Sequence, residues 1–175
     1  MKGKLIVFEG ADGSGKTSTI DALMPLLENH GFSVKRIYFS SLLRKRTILR
    51  RAFSLFGKLL LAYFSLITGK LILADRYIYL TFRKNEILKK IVRTLYPRAD
   101  KVFVMKASPK VLRKRREIYE GIGNKLLKRK AELQSIKEIN ELYRIYESVP
   151  KAIVINMEKP RKSNLNIIIN EIKQL

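Results

Sequence analysis

The sequence predicts an α/β fold in which helices cover both faces of a five-stranded parallel sheet. Short apolar runs rich in strand formers alternate along the chain with segments whose apolar residues recur at helical spacing. Such alternation indicates parallel pairing, because each helix returns the chain to the start of the next strand. With 175 residues, 46% of them hydrophobic, we expect one compact domain over residues 1–175.

Glycines and capping residues mark the element boundaries in chain order. Gly31 suits the C′ position of the first helix, Gly57 is a candidate break in the second, and Ser108 is a candidate N-cap of the fourth. The predicted strands are residues 4–8, 33–39, 71–74, 101–105 and 152–155, and the predicted helices are residues 16–30, 41–68, 80–95, 109–119, 125–148 and 165–172.

Composition limits the chemistry available to the chain. The absence of cysteine excludes disulfides, thiolate zinc sites and cysteine nucleophiles, and the single histidine, His30, leaves little for a histidine-based triad. We read His30 as a helix-terminal residue and Glu9 as a structural carboxylate at a strand end. Lys, Arg, Asp, Glu and backbone amides must therefore carry any reaction.

The formal net charge is +22 and favours anionic partners such as phosphates, nucleotides, nucleic acid or acidic lipid. Basic residues are spread from Lys2 to Lys173, so a merely solvated basic surface explains the charge equally well. Nucleic-acid binding remains one alternative.

The apolar stretch over residues 52–73 raises the question of a membrane span. Lys58 and Lys70 lie in it, and a lysine costs about 2.5 to 3.5 kcal/mol at the centre of a membrane helix. The N-terminus leads almost directly into a strand and lacks the pattern of a signal peptide. We expect no membrane span and a cytoplasmic location.

The strongest motif begins at Gly10 and ends at Thr17, where GADGSGKT matches G-x-x-x-x-G-K-[ST] between a predicted strand and a predicted helix. Its glycines allow successive N–H groups to converge on phosphate oxygens at a helix N-terminus. Lys16 is expected to reach the β- and γ-phosphates of ATP, and the Thr17 hydroxyl to ligate Mg²⁺. For Ser18, phosphate contact and helix capping both stay open. The predicted ATP-binding residues are Gly10, Ala11, Asp12, Gly13, Ser14, Gly15, Lys16, Thr17 and Ser18.

A second motif, Asp75-Arg76-Tyr77, follows the predicted strand LILA. Ligands of doubly wound sheets gather at the carboxyl ends of the strands, so Asp75 is expected near the glycine-rich loop. There it could hold Mg²⁺ or orient the attacking phosphate, and Arg76 offers a fork suited to an acceptor phosphate. The alternative is a strand-end salt bridge.

Together, FEGADGSGKTST and the strand-end DRY resemble the thymidylate kinase family of nucleoside monophosphate kinases. Later segments agree, since ASPKVLRKRR is similar to the stretch that leads into the family's mobile lid, and YRIY before AIVIN is similar to its closing helix and strand. The resemblance implies a P-loop NTPase fold and transfer of the γ-phosphoryl group of ATP to dTMP, giving dTDP. It also implies a homodimer, for which residues 59–67 are the candidate interface.

Carried over by residue, Asp12 matches the acid that such kinases direct at the acceptor, and Asp75 and Arg76 match their DR pair, beside Tyr77. Gly13 stands where one subclass has an arginine, so the resemblance implies that a lid over approximately residues 115–131 supplies the catalytic cation. The lid candidates are Arg115, Arg116, Lys128, Arg129 and Lys130.

The chain departs from the family on the acceptor side. It has IYLTFRKN at residues 78–85 in place of the Ser and Tyr-Gln pair that helps to bind thymine, and YFSSLLRKR at residues 38–46 in place of an REPG-type loop. Substitutes would be arginines 44, 46, 50 or 51 for the phosphate, and Tyr77, Tyr79 or Phe82 for the base. A kinase or NTPase acting on nucleic-acid ends, and a non-catalytic nucleotide-binding relative, are the alternatives.

Overall fold

The computed structural model describes residues 2–39, 48–77, 94–121 and 136–175. Strands and helices alternate along the described chain. The elements are β1 (Lys4–Glu9), α1 (Lys16–Asn29), β2 (Val34–Ile37), α2 (Ile48–Ile67), β3 (Leu71–Asp75), β4 (Lys101–Lys106), α3 (Pro109–Gly121), α4 (Ile136–Glu147), β5 (Ala152–Asn156) and α5 (Arg161–Lys173).

The five strands form one parallel sheet in the order β2-β3-β1-β4-β5. β1 is central and pairs with β3 so that Phe8 lies opposite Asp75. The connections that leave β1 and β3 run toward opposite edges of the sheet, and ligands of such sheets bind outside the carboxyl ends of the strands at this switch point. The fold therefore directs the residues after Phe8 and after Asp75 to the same crevice.

Alternate residues of β1 lie in two separate hydrophobic clusters. Leu5 and Val7 pack on the side covered by α2, α3 and α4, whereas Ile6 and Phe8 pack on the side covered by α1 and α5. Helices on both faces explain why the strand reads as a nearly continuous apolar run, since neither face meets water. The predicted α/β class, the parallel sheet and the two helical layers are confirmed.

Local signals place most boundaries well. The N–H of Gly31, which has a φ of +83°, donates to the Glu28 carbonyl, and the N–H of Phe32 donates to the Leu27 carbonyl, which is the hydrogen-bond pair of a Schellman ending. The hydroxyl of Ser108 accepts the N–H of Val111 at 3.5 Å, as expected of an N-cap.

Two boundary predictions are wrong. α2 continues through Gly57, because one glycine costs a helix only about 1 kcal/mol relative to alanine. α5 begins at Arg161, four residues before Leu165, because the first turn after Pro160 is polar and exposed and so lacks the apolar spacing that indicates a helix. Most of the predicted helix 80–95, the start of the helix 125–148 and most of the lid lie outside the described residues.

One face of α2 is apolar and exposed. Leu59 and Ala62 face the sheet, whereas Phe64 is 64% exposed and Ile67 is 81% exposed. The dimer interface expected over residues 59–67 stays a prediction. Within the described chain, no helix is long and apolar enough to cross a membrane.

Candidate functional site

The glycine-rich loop, residues 10–15, curls between β1 and the first turn of α1. Gly10, Gly13 and Gly15 all have positive φ, at +148°, +84° and +92°. A Cβ on Gly10 would stand 2.6 Å from the Met105 carbonyl oxygen, so a side chain cannot be accommodated there. Gly15 is the N-cap of α1 and makes no side-chain cap, which leaves the N-terminal end of the helix dipole directed at the crevice.

The ammonium group of Lys16 is buried inside this loop. Its Nζ donates to the carbonyl oxygens of Gly10 and Ala11, both at 2.8 Å, and to the Ser14 hydroxyl at 3.4 Å. A cation held at the centre of a curl of backbone amides creates a positive potential suited to a polyanion.

Thr17 and Asp75, the two predicted metal ligands, are in direct contact. The Thr17 hydroxyl donates to Asp75 Oδ2 at 2.7 Å, across 58 positions of sequence. Arg36 on β2 donates to the same Oδ2 at 2.9 Å and to Asp21 Oδ1 at 2.6 Å. Asp75 therefore makes the strand-end salt bridge that was the alternative, and it also lies beside Thr17. No described group of three or more His, Asp or Glu residues could hold a metal ion.

Arg76 lies at the mouth of the crevice in an uncommon backbone conformation. Its φ is +65°, a region that bulky residues rarely adopt, and its N–H donates to the Phe8 carbonyl oxygen at 3.0 Å. Its guanidinium pairs with Asp12 of the glycine-rich loop. The structure thus brings both halves of the predicted acceptor site together.

Tyr77 is oriented away from the crevice. Its ring is buried in the core and packs edge-on against Phe39 and Tyr96, with centroids 5.1 and 5.9 Å away. Its hydroxyl donates to the Pro97 carbonyl oxygen. The part of the cavity wall that the structure describes does not include Tyr77, so its aromatic side chain is a core element here.

Two further arginines reach the site from later elements. Arg115 of α3 donates to the Met157 carbonyl oxygen at 2.7 Å and reaches the Ser14 carbonyl oxygen at 3.5 Å. Arg161 of α5 donates to the Ser18 carbonyl oxygen at 2.6 Å. The Arg116 side chain and residues 128–130 lie outside the described set. The Ser18 hydroxyl donates to the Gly15 carbonyl oxygen at 3.0 Å, so it does not cap a helix N–H. The contact of Ser18 with phosphate stays a prediction.

These groups line one cavity of about 620 Å³, within the range of small-ligand sites. Its floor is the loop and the start of α1, and its walls are the end of β3, Arg115, and the turn from β5 into α5. The charged groups in its wall include Asp12, Lys16, Asp75, Arg76, Arg115 and Arg161.

Glu9 lies directly beneath the loop and is 1% exposed. Burial raises the pKa of its carboxyl to about 7, against the opposing effects of the Tyr77 N–H, Lys16, Arg76 and the Tyr146 hydroxyl. Tyr146 of α4 is buried beside it, and burial together with the Glu9 charge raises the pKa of this phenol.

Sequence reasoning missed several polar side chains of the site. Arg36 had no motif to single it out, because its contact with Asp75 depends on β2 lying beside β3. Arg161 and Asn164 follow Pro160 in a stretch read as a loop. Asn164 is 2% exposed and donates to the Asn156 carbonyl oxygen at 2.9 Å, so it fixes the turn that forms one wall.

No known family model and no curated protein matches the chain. Among solved structures, it is similar to one described as the crystal structure of APE1195, with a TM-score of 0.63 and 20% identity over 99% of this chain and 97% of that chain. At this identity the likeness shows the fold alone. In all, 297 chains of solved structures match, so the architecture is widely used and does not by itself select a chemistry.

Proposed function

We propose that the protein is a phosphotransferase of the P-loop class, which binds Mg·ATP and transfers its γ-phosphoryl group to a nucleoside monophosphate, with dTMP as the leading acceptor. The observation that carries this proposal is the contact between Thr17 and Asp75 at 2.7 Å, beside a glycine-rich loop that surrounds Lys16. A motif match and a strand-end carboxylate, far apart in sequence, meet at one point.

The loop supplies what a triphosphate needs. Backbone amides at the N-terminus of α1 and the buried Lys16 provide positive potential without a large conformational change. On binding, Lys16 exchanges the carbonyl oxygens of Gly10 and Ala11 for oxygens of the β- and γ-phosphates. The cavity of about 620 Å³ is large enough for a nucleotide.

The donor set fits Mg²⁺. Magnesium prefers oxygen ligands and is usually bound by one or two protein groups together with waters and substrate phosphates. The Thr17 hydroxyl and Asp75 carboxylate are oxygen donors of this kind. When bound there, Mg²⁺ supplies charge neutralisation at the transferring phosphates. Arg36 already pairs with Asp75 at 2.9 Å, which holds the carboxylate oriented beside Thr17.

The acceptor side is formed by Asp12 and Arg76. The guanidinium of Arg76 offers two parallel donors to a phosphate, and Asp12 holds that guanidinium at the crevice mouth. In the proposed reaction, an oxygen of the acceptor phosphate attacks the γ-phosphorus, the bond to the β–γ bridging oxygen breaks, and ADP leaves. Arg115, with Arg116 as the second candidate, would neutralise charge that develops on the transferred group.

The proposal is tested by ADP release from Mg·ATP with dTMP, dUMP, other monophosphates and a 5′-hydroxyl oligonucleotide as acceptors. We expect turnover with dTMP, and we expect Lys16→Ala to lower kcat/KM about 10²- to 10³-fold because it removes a preorganised cation. Lys173→Ala is the matched control, since Lys173 is exposed at the end of α5.

The acceptor that turns over distinguishes the alternatives. Turnover of the oligonucleotide alone would support a kinase acting on nucleic-acid ends, for which the net charge of +22 is the favouring observation. Binding of ATP without turnover of any acceptor would indicate a non-catalytic nucleotide-binding protein. Absence of ATP binding would contradict the proposal altogether.

A further inference from the structure

Glu9 and Phe8 hold the two residues that follow Asp75. The Phe8 carbonyl oxygen accepts the N–H of Arg76 at 3.0 Å, and Glu9 Oε1 accepts the N–H of Tyr77 at 2.6 Å. Two consecutive residues of the central strand thus fix two consecutive amides. The first contact continues the ordinary strand pairing, whereas the second requires a side-chain carboxylate.

This second contact stabilises a backbone conformation that Arg76 does not adopt readily. A φ of +65° is unfavourable for a long side chain, so the conformation persists only where its surroundings impose it. The Arg76 guanidinium projects from this residue to Asp12 in the cavity wall. Its position therefore depends on the amide that follows it, and that amide is bound by Glu9.

A third element reaches the same carboxyl group. Tyr146 of α4 is 2% exposed, and its hydroxyl lies close enough to Glu9 to lower the pKa of that carboxyl against the effect of burial. Among the residues that the structure describes, the charged and titratable groups that face Glu9 are Lys16 from α1, Arg76 from the end of β3, and Tyr146 from α4, with Tyr143 beside Tyr146. An ionised carboxylate can accept hydrogen bonds from the Tyr77 N–H and the Tyr146 hydroxyl together and attracts both cations. A protonated carboxyl loses that attraction.

We propose that Glu9, in its ionised form, is a positioning residue for Arg76 and thereby sets the affinity of the site for the acceptor phosphate. This inference rests on the proposed function for the identity of the acceptor, but the control of Arg76 by Glu9 can be measured without turnover. Glu9 is buried beneath the loop and acts through Arg76, without touching substrate itself.

The first measurement is an NMR titration of the full chain without substrate. The Nε–H signal of Arg76, assigned with Arg76→Lys, is followed from pH 5.5 to 8.5 beside the carboxyl signal of Glu9, assigned with Glu9→Gln. We expect both signals to change with one shared midpoint near pH 7, and we expect the change at Arg76 to vanish in Glu9→Gln. An Arg76 signal that ignores the Glu9 titration would overturn the inference.

Tyr146→Phe provides a second variant in case Glu9→Gln does not fold. Because the Tyr146 hydroxyl lowers the pKa of Glu9, its removal should raise the shared midpoint, and both signals should move together. Tyr63→Phe is the matched control, because its hydroxyl donates to the Leu95 carbonyl oxygen, away from Glu9, and the midpoint should stay where it is. A Glu9 midpoint that moves in Tyr146→Phe while the Arg76 midpoint stays in place would also contradict the inference.

The second measurement is the kinetics of dTMP phosphorylation between pH 6 and 8. Glu9→Gln should raise the KM for dTMP about tenfold at pH 8, with kcat and the KM for ATP changed less than twofold. A merely structural role would lower kcat or affect both substrates. Ionisation of the dTMP phosphate itself is common to both proteins and cancels in their ratio.

The two proposals fail in distinguishable ways. If the Arg76 signal follows Glu9 but no monophosphate is phosphorylated, the control of Arg76 is supported and only the proposed function is overturned. If dTMP is phosphorylated but its KM is unchanged in Glu9→Gln, the proposed function is supported and the role of Glu9 is overturned.

Discussion

The two halves of the site are constructed in different ways. The loop half, residues 10–17, lies on one contiguous octapeptide, and its cation is held by carbonyl groups five and six positions away. The strand-end half is assembled from β1, β3 and α4, and one of its hydrogen bonds joins residues 68 positions apart. The geometry of the loop half is therefore set by local backbone preferences, whereas the geometry of the strand-end half depends on the register of the whole sheet.

The difference also appears in the charges. In the loop half, the hydrogen bonds of the Lys16 ammonium include two to backbone carbonyl oxygens and one to the Ser14 hydroxyl, which are all neutral acceptors. In the strand-end half, Asp75 pairs with Arg36 of β2, and Glu9 is buried behind them. Arg76 of this half pairs with Asp12 of the loop half. The strand-end half is therefore the part whose behaviour should depend on pH.

The largest effect is expected where the halves meet. Asp75→Asn removes the charge that Thr17 and Arg36 contact, and we expect kcat/KM to fall about 10²- to 10³-fold together with the dependence on Mg²⁺. Asp21→Asn is the matched control, because Asp21 pairs with the same arginine, and it should cost less than about threefold. Equal losses in both variants would indicate that Asp75 contributes to activity only through its ion pair with Arg36.

The next effect concerns stability and belongs to the strand-end half. Because burial raises the pKa of Glu9 to about 7, its contribution to stability is fully present below pH 4.5 and is lost as the pH rises through 7. The unfolding free energy of the wild type should therefore fall by ~3 kcal/mol between pH 4.5 and pH 7, and this fall should be absent in Glu9→Gln. Denaturant unfolding at a series of pH values measures it. The exposed Glu28→Gln should keep the wild-type slope. Identical slopes in wild type and Glu9→Gln would contradict the burial of an ionisable carboxyl.

Gly10→Ala tests whether the loop half depends on its backbone conformation. The added Cβ meets the Met105 carbonyl oxygen at 2.6 Å, so we expect a loss of about 1 to 3 kcal/mol in unfolding free energy and more than tenfold weaker ATP binding. Gly57→Ala is the control, because nothing lies within 4 Å of its Cβ, and it should stabilise α2 by about 0.5 to 1 kcal/mol. Calorimetry of unfolding and of ATP binding measures both. An unchanged ATP affinity in Gly10→Ala would show that the loop binds ATP without this backbone conformation at Gly10.

The smallest effect is expected at the later elements. Arg115→Ala should lower kcat/KM about tenfold and leave stability nearly unchanged, because its guanidinium hydrogen-bonds to the carbonyl oxygens of Ser14 and Met157 and other cations line the cavity. The exposed Arg113→Ala on the same helix serves as the control. A loss as large as that of Asp75→Asn would make Arg115 the principal cation at the transferred phosphate.

The same distinction explains what the sequence could predict. Strands, helix ends and the glycine-rich loop follow from residues that are neighbours in the chain. Within the described ranges their predicted positions agree with the structure to within about two residues, except at Gly57 and Leu165. The meeting of Thr17 and Asp75 was also predictable, since parallel strands end at one edge. Arg36 and Tyr146 were not predictable as site neighbours, because their contacts depend on strand order and on helix packing. Tyr77 was expected at the substrate, and only the packing of Phe39 and Tyr96 reveals it as a core residue.

β1 occupies the centre of the sheet, with a paired strand on each side and helical layers above and below. Amide hydrogens in such a strand exchange with solvent only when the whole domain opens, whereas loops and edge strands open locally. Both the glycine-rich loop and Glu9 emerge directly from this strand. The floor of the site therefore shares the lifetime of the folded domain, and a substitution anywhere in the core that accelerates global opening will shorten the lifetime of the site by the same factor.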